Sequence, residues 1–169
     1  MKGITDRKLL EDFLRDGGSL VPVMGRARIT VTRADGSVEE SVVKNQVTAA
    51  GLNLLAQKGM ANDVGSSFLY IAVGTQTAAG SLDSVTTGIG EVSRKTASIA
   101  TNSLETMIAV MTWAGAADSI TSLDLRTAGM VNHADSGEGT FMNMVNSVAT
   151  ILADSDFLKV QLEVRVGSH

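Results

Sequence analysis

The 169-residue chain has no cysteine. Disulfides, thiolate metal sites and cysteine nucleophiles are therefore excluded, and the fold must stand on packing and assembly alone. Proline is nearly absent, with Pro22 the single example, and there are only six aromatic residues: four Phe, one Trp and one Tyr. Charged residues make up 19%, below the usual quarter. A free monomer usually shows more charge, so part of the surface is expected to be covered by something else. Lys and Arg never occur three in a row, and the net charge is −4. The basic stripe that holds nucleic acid is missing, so no direct nucleic-acid partner is expected; mild acidity serves solubility. No stretch of 18 apolar residues occurs, so no membrane-spanning helix is expected. Asp6, Arg7, Lys8, Glu11 and Asp12 interrupt the apolar core that a signal peptide would need, which predicts synthesis in the cytoplasm.

What is present is 17 glycines, many Ser and Thr, and a change of hydrophobic period along the chain. The first segment has helical spacing. Thr5 can cap it, Asp6 suits its dipole, and Leu9, Leu10, Phe13 and Leu14 form one apolar stripe. Gly17-Gly18 ends it. About eleven residues make a helix too short to persist alone, so the stripe must dock, and these four residues are the candidate partner-binding set. Residues 17–25, GGSLVPVMG, read as a connector. The division expected is an N-terminal arm and linker over 1–25 and a β-sandwich domain over 26–169.

After the connector the pattern becomes period two. Ile29 and Val31 alternate with Arg28, Thr30 and Thr32; Asp35-Gly36 marks a hairpin turn, and Val38–Val43 is the returning strand. Thr48 can cap one inserted helix, with Leu52, Leu55 and Ala56 on a shared face and Gly59 at its end. Further strands are predicted at Phe68–Val73, Glu91–Ala100, Leu104–Trp113 and Ile120–Arg126. Phe141–Leu152 fits both templates in part, with strand the better fit. The clearest strand is the last, where Leu158, Val160, Leu162, Val164 and Val166 oppose Lys159, Gln161, Glu163 and Arg165. This predicts a mainly β chain: an antiparallel β-sandwich, jelly-roll or Greek-key in order, with one inserted helix and the helical arm.

Chemistry is scarce. His133 lies in the polar loop VNHADSGEG and His169 is the last residue, with no GxSxG elbow to build a triad around either. Asp154 and Asp156, and Asp135 and Glu138, lack the alternating ligand spacing of a Ca²⁺ loop and read as turn formers. Gly74–Gly80 lacks the Lys-Ser/Thr of a phosphate loop. No catalytic residue, cofactor or metal is expected. Met107, Met111, Met130, Met142 and Met144 fall among the strands and suit an irregular core or an adaptable interface.

Three blocks nevertheless form a pattern: Lys44-Asn45-Gln46-Val47-Thr48-Ala49-Ala50-Gly51-Leu52 with Leu55-Ala56; Tyr70-Ile71-Ala72-Val73-Gly74-Thr75-Gln76-Thr77-Ala78; and Glu91-Val92-Ser93-Arg94. The chain, over roughly residues 26 to 166, resembles small structural proteins of tailed-bacteriophage virions, departing from many of them at Gln76, where glycine is common. The resemblance implies a non-enzymatic β-sandwich built into the particle: a capsid decoration or cement protein on the outside of the head, bound to the major capsid protein lattice as a homotrimer. The alternative it implies is a tail, baseplate or fibre-adaptor protein. A carbohydrate-binding sandwich, which needs exposed aromatics, is a third class, poorly supplied by Trp113 and Tyr70.

The turn reading is directly testable. With Gly36 at positive φ, Gly36→Val is expected to destabilise the fold by about 1 kcal/mol or more through backbone strain. Thermal melting checks it, and an unchanged midpoint would put the turn elsewhere.

Overall fold

A strand whose alternate residues are Leu, Val, Leu and Val can lie between two neighbours and bury one face, and Phe157–Val166 does so. In the computed structural model, which describes residues 23–48, 51, 69–77, 89–103 and 106–166, this strand is the last of ten. In chain order they are β1 (Val23–Thr32), β2 (Val38–Lys44), β3 (Gln46–Val47), β4 (Tyr70–Gly74), β5 (Glu91–Thr96), β6 (Ser98–Ser103), β7 (Thr106–Ala114), β8 (Thr127–Val131), β9 (Phe141–Val145) and β10 (Phe157–Val166). They form two five-stranded sheets, ordered β2-β1-β10-β7-β6 and β3-β9-β8-β4-β5, with every strand pair antiparallel. The mainly β, antiparallel expectation is met. The arm, and with it Leu9, Leu10, Phe13 and Leu14, lies outside the described residues, as does all of the inserted helix except Gly51.

β10 sets the core. Leu158 stands between Val31 and Trp113, Val160 between Ile29 and Met111, and Leu162 between Ala27 and Ala109. Ile71 and Val73 of β4, Ala128 and Met130 of β8, and Met142 and Val145 of β9 complete the same buried cluster from the second sheet. Full burial of each large apolar side chain contributes about 1.5–3 kcal/mol. Trp113 is fully buried, and its indole N–H donates to Ser93 Oγ at 3.0 Å. The five methionines of the strand region are core residues: Met130, Met142 and Met144 are buried, while Met107 and Met111 pack against the cluster from half-buried positions. A second cluster of Ala72, Ile89, Val131, Phe141 and Met144 occupies the other side of the second sheet. All residues of β8 and β9 are accordingly buried.

The chain steps between sheets through one residue at each side. Asn45 alone separates β2 from β3, and Ala97 alone separates β5 from β6. Because β2 and β6 are the outer strands of one sheet, and β3 and β5 those of the other, the sheets are joined along both margins. Corners of this kind are made where a strand bends and changes sheet. The Asn45 amide donates to Gly25 O at 3.2 Å, and the Ala97 amide to Leu69 O at 2.7 Å. A β-carbon on Gly25 would run into the Asn45 side-chain amide and stand 3.1 Å from the Asn45 carbonyl oxygen, so a larger residue there would have to displace that side chain.

Four sequence expectations differ from the structure. β1 begins at Val23 and pairs with Val166, so Val23, Met24 and Gly25 belong to the ladder and not to a connector. Glu91–Ala100 is two strands broken at Ala97, a small residue able to turn inward at the corner. Ile120–Arg126 is a loop that touches the 150–152 segment through the isolated bridges Thr121–Leu152 and Leu125–Thr150; its alternation reflects burial of Ile120 and Leu125 without a sheet. β8 was not expected: burial on both faces removes alternation, and Ala-Gly has little strand propensity.

The β1–β2 turn has Gly36 at φ +83°, as the dipeptide predicted, with open space around its missing β-carbon, so a substitution there meets backbone strain alone. Gly36 N–H donates to Arg33 O and Arg33 N–H to Ser37 O, a three-residue loop with a bulge. Arg33 then ties the hairpin to the C-terminal turn. Its guanidinium donates to Glu39, to Ile151 O and, at 2.9 Å, to Asp156 Oδ2. Asp156, buried, also accepts the amides of Ala153 at 2.9 Å and Ala34 at 3.1 Å. The Ala153 amide first, and Arg33 next, hold the Asp156 carboxyl below its ordinary 3.8. Arg33 likewise depresses Glu39, and the Ser37 hydrogen bonds depress Asp35. A carboxylate depressed in the folded state stabilises above its ordinary value and loses that contribution as pH falls through the folded value. Melting temperature is therefore expected to hold down to about pH 5 and to drop below about pH 4. Asp156→Asn is expected to lower it at neutral pH and to flatten the acid limb; parallel acid limbs for the two proteins would refute the assignment.

Candidate functional site

The residues that could have carried chemistry are engaged otherwise. His133 is half-exposed; its Nδ1 accepts the Asp135 amide at 3.2 Å and stands 3.9 Å from the Asp135 carboxylate. Among the described residues no group of three or more His, Asp or Glu converges as metal ligands do. In the Gly74 loop, the Thr75 and Gln76 amides donate to Gly90 O and Ile89 O, so they are not available to cradle a phosphate. Trp113, being fully buried, offers no face to a sugar.

The three blocks that carry the resemblance do architectural work. In the first, Asn45 is the corner residue, and the Thr48 hydroxyl donates to Phe141 O while accepting the Gly51 amide, three residues on, at 2.9 Å. In the second, Gln76 O accepts the Thr127 hydroxyl at 2.6 Å and Gly74 O the Arg126 amide, which fastens β4 to the entry of β8. In the third, Arg94 and Glu91 are a buried pair, their side chains 3% and 6% exposed, joined through Nε–Oε1 at 2.8 Å and Nη2–Oε2 at 2.6 Å. Arg94 Nη1 donates to three backbone carbonyls, those of His133, Asp135 and Glu138, and Glu91 Oε2 accepts the Gly137 amide. One fork-shaped cation thus shapes the whole polar loop that follows β8.

What remains open is the outer face of the first sheet. Antiparallel partners share a face, so four rows cross it: Val38, Thr32, Phe157 and Ala114; Glu40, Thr30, Lys159 and Thr112; Val42, Arg28, Gln161 and Val110; and Lys44, Arg26, Glu163 and Ile108. Val38, Phe157, Val42 and, beyond the last row, Met24 are exposed apolar residues. The alternation of Leu104–Trp113 therefore displays Thr106, Ile108, Val110 and Thr112 outward, while Met107, Ala109, Met111 and Trp113 face the core. Two ion pairs lie on this face, Arg26 with Glu163 at 3.0 Å and Arg28 with Glu40 at 3.6 Å. Such exposed pairs add at most about 1 kcal/mol each and serve orientation more than stability.

At one end of this face a cleft of about 590 Å³ is lined by Met24, Gly25, Arg26, Val42, Val43, Lys44, Asn45, Glu163 and Arg165. The Asn45 amide group and Arg165 Nε are buried there without a hydrogen-bond partner. A cleft with three cations, one carboxylate and unsatisfied amide atoms can bind polar groups of another molecule but contains no nucleophile–base pair. The signal for this face was in the sequence, in Arg28, Thr30 and Thr32 alternating with Ile29 and Val31; which strand would lie beside them was not.

No protein-family model, no curated protein and no solved structure matches the chain.

The Arg94 pair makes a quantitative expectation. Arg94→Ala leaves Glu91 buried and unpaired, which costs about 3–5 kcal/mol. Arg94→Lys, keeping the charge but not the fork, should lose less stability yet still release the amides of 133–138 to faster hydrogen exchange. Urea denaturation and exchange of the two variants test this; wild-type protection in Arg94→Ala would show that the loop holds itself.

Proposed function

We propose that the chain is a non-enzymatic virion structural protein, a capsid decoration or cement protein that binds and stabilises the outer surface of a bacteriophage head. In this reading the two sheets are the layers of a β-sandwich of Greek-key or jelly-roll kind, the protein acts as a homotrimer, and its partner is the major capsid protein lattice. The observation that carries the proposal is the asymmetry between the sheets: β8 and β9 at the middle of the second are buried throughout, and the first keeps an open face where exposed Met24, Val38, Val42 and Phe157 lie among charged residues. A low charge fraction and the three sequence blocks support it. Repetition on a lattice suits such a face, because weak single contacts gain by avidity. The same features serve a tail, baseplate or fibre-adaptor protein, and the number of copies per particle separates the two: hundreds on a head, a few at a tail.

The arm supplies the second contact in this proposal. Leu9, Leu10, Phe13 and Leu14 would bury against the shell or a neighbouring copy, each worth about 1.5–3 kcal/mol. Losing two would cost on the order of a thousandfold in affinity. Because β1 begins at Val23, deletion of residues 1–20 leaves the ladder whole. The truncated chain is expected to fold with strand-type circular dichroism and to fail to bind particles in co-sedimentation and label counting. A truncated chain that decorates particles at full occupancy would overturn the role of the arm; a full-length chain absent from particles would overturn the virion reading.

A further inference from the structure

β2 is the outer strand of the open sheet, and all of it except Val43 is exposed. The hairpin fixes which of its backbone groups are free. Arg33 and Ser37 form a hydrogen-bonded pair, and such pairs alternate along an antiparallel ladder. Glu39, Ser41 and Val43 therefore bond to Val31, Ile29 and Ala27 of β1. The N–H and C=O of Val38, Glu40, Val42 and Lys44 point away from the sheet, and among the described residues they have no other backbone partner. A row of this kind is a template for another strand.

We infer that this edge pairs with β2 of a second copy of the chain, antiparallel about a two-fold axis through Val42. Three registers about the middle of β2 bring free groups opposite free groups: those centred on Glu40, Ser41 and Val42. Centring on Glu40 sets two Glu40 carboxylates face to face, which repel. Centring on Ser41 sets Glu40 against Val42 and Val38 against Lys44, and matches no charge. Centring on Val42 sets Glu40 of each copy against Lys44 of the other, twice, and joins the two Val42 side chains, each 48% exposed. Glu40 and Lys44 thus favour one register, oppose the second and leave the third without a charge match. Below the edge, a groove of about 330 Å³ floored by Ile29, Val31 and Val148 accepts the inward side chains of the incoming strand. The interface is self-complementary, as a two-fold contact requires. A single seven-residue strand edge is a small contact beside the roughly 1,000 Å² of a stable dimer, so the pairing is weak in solution and links neighbouring copies only where they are held close. It does not depend on the virion reading.

The absence of cysteine makes the test clean. Single variants Glu40→Cys, Ser41→Cys and Val42→Cys, with Lys159→Cys as an exposed control on the same sheet, are oxidised at equal protein concentration. Hydrogen-bonded cross-strand residues stand about 5.5 Å apart at Cα, within the 4.4–6.8 Å span of a disulfide. Val42→Cys is expected to form disulfide dimers at least about tenfold faster than the others, a ratio worth about 1.4 kcal/mol. In the Val42→Cys background, Glu40→Lys and Lys44→Glu are each expected to slow cross-linking, and the two together to restore it, with circular dichroism unchanged throughout. Fastest cross-linking at Ser41 or Glu40, rates equal to the Lys159→Cys control, or no rescue by the double reversal would overturn the proposal.

Discussion

The two single-residue crossings constrain everything else. Asn45 and Ala97 carry the chain from the margin of one sheet to the margin of the other with no loop to absorb an error. A slip of one residue in β2 would turn β3 over, and a slip in β5 would turn β6 over, because side chains alternate with a period of two. The crossings therefore fix the registers of four strands at once, and β10, wedged between β1 and β7, fixes the remaining first-sheet strands. Gly25 shows how close the packing is: the Asn45 side-chain amide occupies the place a β-carbon there would take.

Given that frame, the polar interactions fall into two kinds. Arg94 holds Glu91 by its fork and the 133–138 loop by three carbonyls, while Arg33 grips Glu39 by its fork and reaches Asp156 and the Ile151 carbonyl through Nη1. Both arginines are largely withdrawn from water and both organise loops at sheet ends, where backbone groups have no ladder to satisfy them. The charges on the open face are different. Arg26, Arg28, Glu40, Lys44 and Glu163 stand in water and leave the fold little altered; their arrangement matters for what approaches the face. In a chain with few charges, most of those that matter are assigned to one task or the other.

How much of this could be read from the residues follows from the same physics. β10 and the first hairpin were legible because each has one wet face, so alternation and a turn dipeptide were visible together. β8 was illegible because it has no wet face, and Thr-Ala-Gly-Met-Val offers neither alternation nor bulk. Ile120–Arg126 misled for the converse reason: Ile120 and Leu125 are fully buried without belonging to a ladder. The corner at Ala97 gave no sign, since a small apolar residue within a polar alternation looks like any strand position. On the candidate site, the outward placement of Arg28 was visible, whereas that of Arg26 and the neighbourhood of β1, β2 and β10 that makes a surface of them arise from contacts across 137 residues of sequence, the separation of Arg26 and Glu163.

That separation governs how the protein comes into being. β1 has two neighbours, one supplied at once by β2 and one by β10, the last strand of the ladder. Until that last strand is made, Ala27, Ile29 and Val31 lack half their cover, and the first sheet is split between a hairpin at one side and β6–β7 at the other. A nascent chain cannot close this core stepwise from the ribosome; closure waits for the synthesis of β10 and then needs the slowest kind of contact to form, the one that spans the longest loop. Folding in milliseconds to seconds, and a period in which hydrophobic strands stand unpaired in a crowded cell, are the kinetic cost of placing the strand that completes the sheet at its centre.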